Sequence, residues 1–252
     1  MQTDDFYYIY RLINYCQVDR FVRFEDLGLK YYGETWEYQE EVFNRLMGLK
    51  LANRNLNEGE KEKVVNTLIF VEHPHVYTLG KSGSGNNLLL DNIQLQAKNA
   101  SFYNIDRGGD ITYHGPGQIV GYPIIDLEIF DLKLKQYIHK LEESIIGTLS
   151  EFGIFGERLE GATGVWLDKD IKGKARKICA IGVKASRYVT MHGFAFNVNT
   201  NLDYFNYINP CGFTDKGVTS LEKELGRSQD IGYVKSILRT KLEELFGFEW
   251  IK

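Results

Sequence analysis

Cys211 sits between Pro210 and Gly212, a setting that predicts a sharp turn rather than a strand interior. A thiol presented by a loop can act as a nucleophile, and a nearby cation would favour its thiolate. The same placement is also compatible with an inert turn thiol. Lys177 is the candidate cation, in the run Lys177-Ile178-Cys179. If that run is a strand, side chains two apart share a face, so Lys177 and Cys179 are also a candidate pair. Cys179 lies in an apolar stretch and reads as a small packed hydrophobe, which leaves Cys211 as the better nucleophile.

The densest chemistry lies in Arg107-Gly108-Gly109-Asp110-Ile111-Thr112-Tyr113-His114-Gly115-Pro116-Gly117-Gln118. Glycines at this density permit positive φ and let a ligand approach the backbone, although they also suit a plain tight hairpin. No G-x-G-x-x-G opens a helix here, so a dinucleotide fingerprint is excluded. Gly80-Lys81-Ser82 fails as a phosphate loop because the required earlier glycine position holds His75. His73 and His75 could share a strand face, but with no third ligand nearby a structural role is expected, and no metal site is read. His114 and His192 suit either of two roles, orienting a reacting group or tying loops together.

Lys169, Lys172, Lys174, Arg176, Lys177, Lys184 and Arg187 are opposed within residues 168–187 only by Asp168 and Asp170. This basic stretch is either a solvated hairpin or a docking surface for an acidic partner. The whole chain carries a net charge of −4, which argues against a general nucleic-acid binder.

These residues need a scaffold, and the pattern supplies one. Apolar residues recur at helical spacing from Glu34 to Asn57 and from Leu134 to Phe152, and again along Val234, Leu238, Leu242, Leu245 and Phe246. Thr67–Val71, Val76–Leu79, Gln118–Asp126, Thr163–Leu167, Lys177–Val183 and Gly193–Val198 read as strands. Helices and strands that do not strictly alternate predict an α+β (mixed α/β) fold. No linker divides the 252 residues, so residues 22–252 are expected to form one domain and residues 1–21 an N-terminal extension. Three cysteines and an acidic start, Asp4-Asp5, fit a reduced, cytoplasmic protein. The apolar stretch from Phe6 to Tyr15 is broken by Arg11 and is too short to span a bilayer.

Four separated segments, Glu72–Gly80, Arg107–Ile124, Lys177–Asn199 and Tyr207–Phe213, closely resemble the lipoyl(octanoyl) transferases of the biotin/lipoate protein ligase superfamily. The resemblance runs from about Val22 to about Leu245. It implies a bent mixed β-sheet with helices packed outside. It implies an acyltransferase that moves an octanoyl group from octanoyl-acyl carrier protein, through a cysteine thioester, to a lysine of lipoyl domains. This is the first step of endogenous protein lipoylation. The acceptors implied are the lipoyl domains of 2-oxoacid dehydrogenase E2 subunits and the glycine cleavage H protein, with no cofactor, nucleic acid or membrane.

The family's acyl-accepting cysteine falls on Cys211 and its proton-transfer lysine on Lys177. Its acyl-contacting positions fall on Arg107, Gly108, Gly109, Asp110, Ile111, Thr112, Tyr113 and His114, on Ala180, Ile181 and Gly182, and on Gly193, Phe194 and Ala195. His192 is a supporting candidate. Two features depart from the family: residues 1–20 precede its usual start, and Asp168–Arg176 makes a longer hairpin. The rival readings are an ATP-dependent lipoate-protein ligase of the same fold, which would have no use for a thiol at Cys211, and a non-catalytic acyl-carrier-binding module.

Overall fold

The computed structural model describes residues 20–209 and 216–251, so Cys211 and residues 1–19 of the expected extension lie outside the described residues. β1 (Phe21–Leu29) leads into α1 (Tyr32–Asn53), then β2 (Asn66–Glu72) and β3 (Val76–Leu79). After α2 (Asn92–Ala97) come β4 (Ser101–Asn104), β5 (Ile111–His114) and β6 (Gln118–Ile124). α3 (Leu134–Ser150) precedes β7 (Glu157–Leu159), β8 (Ala162–Leu167), β9 (Arg176–Ser186) and β10 (Val189–Asn197). The chain then supplies β11 (Gly217–Val218), α4 (Leu221–Leu225), α5 (Ile231–Phe246) and β12 (Glu249–Ile251).

Among the described residues the main sheet runs β12-β1-β2-β6-β10-β9-β8-β7, with β11 added beside β9. β12, β1 and β2 are mutually parallel, while β2, β6, β10, β9, β8 and β7 pair antiparallel in turn, so the sheet is mixed as expected. A separate sheet has the order β4-β3-β5.

Alternation along the central strands sends side chains to two cores. Leu68 and Phe70 of β2, Ile119 of β6 and Phe196 of β10 pack with Leu141, Ile145 and Leu149 of α3 and Val234, Leu238 and Leu242 of α5. Ile69 and Val71, Val120 and Tyr122, and Met191 pack instead with Val42, Phe43 and Leu46 of α1. Each such aliphatic side chain removed from water contributes about 1.5–3 kcal/mol. The helix stripes predicted from spacing are these buried faces. Local chemistry ends the helices: Asp230 Oδ1 accepts the Tyr233 N–H at 3.2 Å, and Gly247, at φ +67°, closes α5.

The expected helix over 34–57 begins at Tyr32 and stops at Asn53, whose side-chain amide donates to the Glu62 carbonyl at 2.8 Å. The strand read as ending at Asp126 ends at Ile124, because the Asp126 carboxylate turns to accept Lys50 Nζ at 2.6 Å. The glycine-rich segment is not a hairpin. β5 and β6, which flank Gly115-Pro116-Gly117, belong to different sheets. Gly117 has φ +80°, and a Cβ there would collide with the Asn199 carbonyl. No described helix is long and apolar enough to cross a membrane.

Candidate active site

A cavity of about 660 Å³ runs across β9 and β10 beneath the glycine-rich segment. Arg107, Gly108, Gly109, Asp110, Ile111, Thr112 and His114 line it from that segment, Lys177, Ala180, Ile181 and Gly182 from β9, and His192, Gly193, Phe194 and Ala195 from β10. Close backbone contact explains the glycines. The Gly108 N–H donates to the Val183 carbonyl at 2.9 Å, and a Cβ on Gly182 would come within 2.8 Å of the Gly108 oxygen. Arg107 locks this contact from behind, donating to the Thr78 carbonyl at 2.7 Å and to Thr78 Oγ1 at 3.0 Å. Its guanidinium is buried and braces the loop.

Tyr113 does not join the site. Thr112 and His114 face the cavity, so their neighbour Tyr113 points to the opposite side of β5. There it is fully buried against Tyr77, its hydroxyl 2.7 Å from His75 Nδ1 and its ring stacked on Tyr204.

Lys177 borders the cavity at the start of β9, while Cys179 does not. Trp166 pairs with Lys177 and Val165 with Cys179, so Ile178 is an extra residue that breaks the two-residue period. Ile178 and Cys179 both turn into the main core. Burial pushes the Cys179 thiol far up, with the charge of Lys177 opposing, and leaves a protonated, inert sulfhydryl. The shared face expected of Lys177 and Cys179 is therefore absent.

The described residues on either side of Cys211 also border this cavity. Ile208 lines it from one side, and Lys216, Gly217 and Val218 from the other. Upstream, Ile208 bridges to Leu88, and the Asn209 N–H donates to the Asn87 carbonyl at 2.9 Å. Downstream, β11 pairs in parallel with Arg176 and Lys177 of β9, and the Thr219 N–H donates to the Lys177 carbonyl at 2.9 Å.

The histidines are set by partners. Gln118 Nε2 donates to Asn197 Oδ1 at 2.8 Å, which leaves Gln118 Oε1 to accept the Nδ1–H of His114 at 2.9 Å. Complete burial lowers the His114 pKa to about 3, so it is neutral. His192, held at φ +60°, sets its Nε2 3.0 Å from Asp106 Oδ1, and burial lowers its pKa to about 4 against the opposing carboxylate. Asp106 also pairs with Lys184 Nζ at 2.5 Å. Burial works against the Asp106 charge, but the hydrogen bonds from His192 and Lys184 outweigh it and hold the carboxyl below the usual range. His192 pairs with Val183, six residues along β9 from Lys177, or about 20 Å of strand. It therefore stands at the far end of the cavity from Lys177 and ties the Asp106–Arg107 segment to β10.

His73 is a fully buried structural residue, as expected. Its Nδ1–H donates to the Lys30 carbonyl at 2.8 Å, and Nε2 accepts from the Tyr122 hydroxyl at 2.8 Å. Among the described residues no group of three His, Cys, Asp or Glu side chains is placed to hold a metal ion. The basic stretch is partly neutralised by internal ion pairs of Lys169, Arg176 and Lys184. Arg176 makes a two-pronged pair with Glu224 at 2.7 Å and meets Asp168, and Lys169 meets Asp170 and Glu157. Lys172 and Lys174 remain exposed.

Sequence reasoning missed Tyr32, Val120, Tyr122, Trp166 and Asn197, which also line the cavity. They lie in runs that read as ordinary core or helix, and only the pairing of distant strands brings them here.

Residues 34–243 match the model of the lipoyl protein ligase A/B catalytic domain. An octanoyltransferase of Parabacteroides distasonis is 58% identical over 89% of this chain and 98% of its own length. One from Christiangramia forsetii is 55% identical over 90% and 97%. Among solved structures, a bipartite lipoate protein ligase from Thermoplasma acidophilum superposes with a TM-score of 0.65 at 14% identity, covering 92% of this chain and 86% of that one. A lipoate-protein ligase A bound with ATP gives 0.63 at 15% identity, over 93% and 90%. These two likenesses concern the fold.

Proposed function

Because the chain belongs to the lipoyl protein ligase A/B catalytic-domain family, on its octanoyltransferase branch, we propose that it transfers an octanoyl group from octanoyl-acyl carrier protein to the lysine of a lipoyl domain through a thioester on Cys211. The catalytic domain in this reading runs over residues 22–252, with 1–21 as an extension. One observation carries the mechanism: Lys177, the glycine-lined strands and the residues on both sides of Cys211 border the same cavity.

In the first half-reaction the Cys211 thiol gives its proton to the Lys177 amine, and the thiolate attacks the donor thioester. The new carbon–sulfur bond forms as the carrier's pantetheine thiolate leaves and takes the proton from the Lys177 ammonium, which restores the neutral amine. The two thioesters are close in energy, so the acyl-enzyme persists until an acceptor arrives. In the second half-reaction the acceptor amine attacks, an amide forms, the Cys211 thiolate departs, and Lys177 takes the excess proton from nitrogen. Val120, Ile181, Val183, Phe194 and Ala195 offer apolar walls for the chain. Each buried methylene contributes ~0.8 kcal/mol, enough for an eight-carbon chain to be selected by length.

Octanoyl-acyl carrier protein alone should leave an octanoyl adduct on Cys211, detected by mass spectrometry. An adduct on Cys179, or transfer of free octanoate that consumes ATP, would overturn the reading. Double-reciprocal plots should be parallel, whereas intersecting lines would indicate direct transfer.

A further inference from the structure

β8 does more than flank Lys177. Lys177 Nζ lies 4.7 Å from the centroid of the Trp166 ring and donates to the Thr163 carbonyl at 3.2 Å. Trp166 and Lys177 are direct cross-strand partners because Ile178 bulges out of β9. Both supports are themselves held. Trp166 is buried, and its indole Nε1–H donates to the Ala162 carbonyl at 2.8 Å, which sets the ring plane. The peptide that presents the Thr163 carbonyl has its opposite end fixed: the Gly164 N–H donates to the buried Glu142 carboxylate at 3.1 Å. A carboxylate on the N–H of a peptide strengthens its carbonyl as an acceptor. Gly164 has φ +122°, and a Cβ there would collide with the Cys179 carbonyl. This sharp backbone turn is therefore open only to glycine.

An aromatic face and a polarised carbonyl both prefer an ammonium to a neutral amine. We infer that Trp166 is a positioning residue of the acyl-transfer site: its ring holds the Lys177 nitrogen in place and stabilises the cation that forms when the amine takes the Cys211 proton, the partner the thiolate needs. The inference rests on the proposed role of Lys177 in octanoyl transfer. It adds that the cradle on β8, and not the flexible lysine alone, sets where the charge sits. A lysine has four rotatable side-chain bonds, and a ring beneath its nitrogen removes part of that freedom before the donor arrives.

The test reads the first half-reaction alone, by quenching the whole protein with octanoyl-acyl carrier protein and following the Cys211 adduct. Trp166→Leu should slow adduct formation about tenfold with the donor KM within about twofold, while Trp166→Phe, which restores an aromatic face, should stay within about threefold of the parent. Site-specific replacement of Trp166 by mono-, di- and trifluorotryptophan keeps the shape and weakens the ring's negative face, so the rate should fall step by step with each fluorine. That series keeps the test decisive if Trp166→Leu does not fold. Equal rates for Leu and Phe, or a rate indifferent to fluorination, overturn the positioning role while leaving octanoyl transfer standing. Absence of any adduct in the parent protein overturns the functional reading, and this inference with it.

Discussion

Asp110 grips the side-chain amide of Asn87 with both carboxylate oxygens, at 2.9 and 2.8 Å. The Asn87 carbonyl in turn accepts the Asn209 N–H at 2.9 Å, two residues before Cys211. The glycine-rich segment is thus linked to the stem of the segment that bears the proposed nucleophile. Asp110→Ala should slow Cys211 acylation about ten- to a hundredfold, because small displacements of reacting atoms are costly. It should cost about 1–2 kcal/mol of stability. Asp110→Asn, which keeps one acceptor oxygen, should recover part of both. Stopped-flow acylation and urea unfolding measure the two effects, and an unchanged acylation rate in Asp110→Ala would detach this link from catalysis.

The buried histidines predict acid sensitivity. His73 and His192 have pKa values lowered by burial to about 4, and His114 to about 3. In the unfolded chain an imidazole takes its proton near pH 6.5. Between those values the unfolded state binds more protons, so stability is fully present above about pH 6.5 and falls as the pH drops toward 4. Urea midpoints measured between pH 5 and 6.5, above the carboxylate range, should decline with acidification. His114→Gln should reduce that slope by about a third. A flat profile would contradict the buried, neutral imidazoles.

Gly182 sets the approach of two backbones. A Cβ added there lies 2.8 Å from the Gly108 oxygen and 3.1 Å from Arg107 Cδ, so Gly182→Ala should push the Arg107–Gly109 turn off β9 and weaken the Gly108–Val183 bond. Overpacking of this kind costs about 1–3 kcal/mol. The cavity wall moves with the turn, so activity on octanoyl donors should fall more than activity on butyryl donors. Equal losses on both would show that the wall does not meet the chain.

Lys172 and Lys174 are exposed, together with Arg187, in a basic stretch whose Lys169, Arg176 and Lys184 are spent on internal ion pairs. Reversing both charges should raise the KM for the acidic carrier at low salt and do little at high salt, where the Debye length is short. A KM that is unaffected at every ionic strength would make this hairpin merely solvated.

Much of the architecture is legible in the sequence. The stripes along Leu141, Ile145 and Leu149 and along Val234, Leu238 and Leu242 required helices with one buried face, because a 3.6-residue period is a local property. The residues of Arg107–Gly117 announced close backbone approach through their glycines, and Lys177 stood out by type. Other outcomes needed the pairing of distant strands. No local pattern places β5 and β6 in different sheets, turns Tyr113 into a cluster with Tyr77 apart from both main cores, or inserts Ile178 as an extra residue opposite β8. That one insertion buries Cys179, leaves Lys177 on the cavity and sets Trp166 beneath it. Sequence determined which side chains were available and which segments could bury a face. Register between strands far apart in the chain depends on the summed packing of both partners, so only the tertiary structure decided which of those side chains meet.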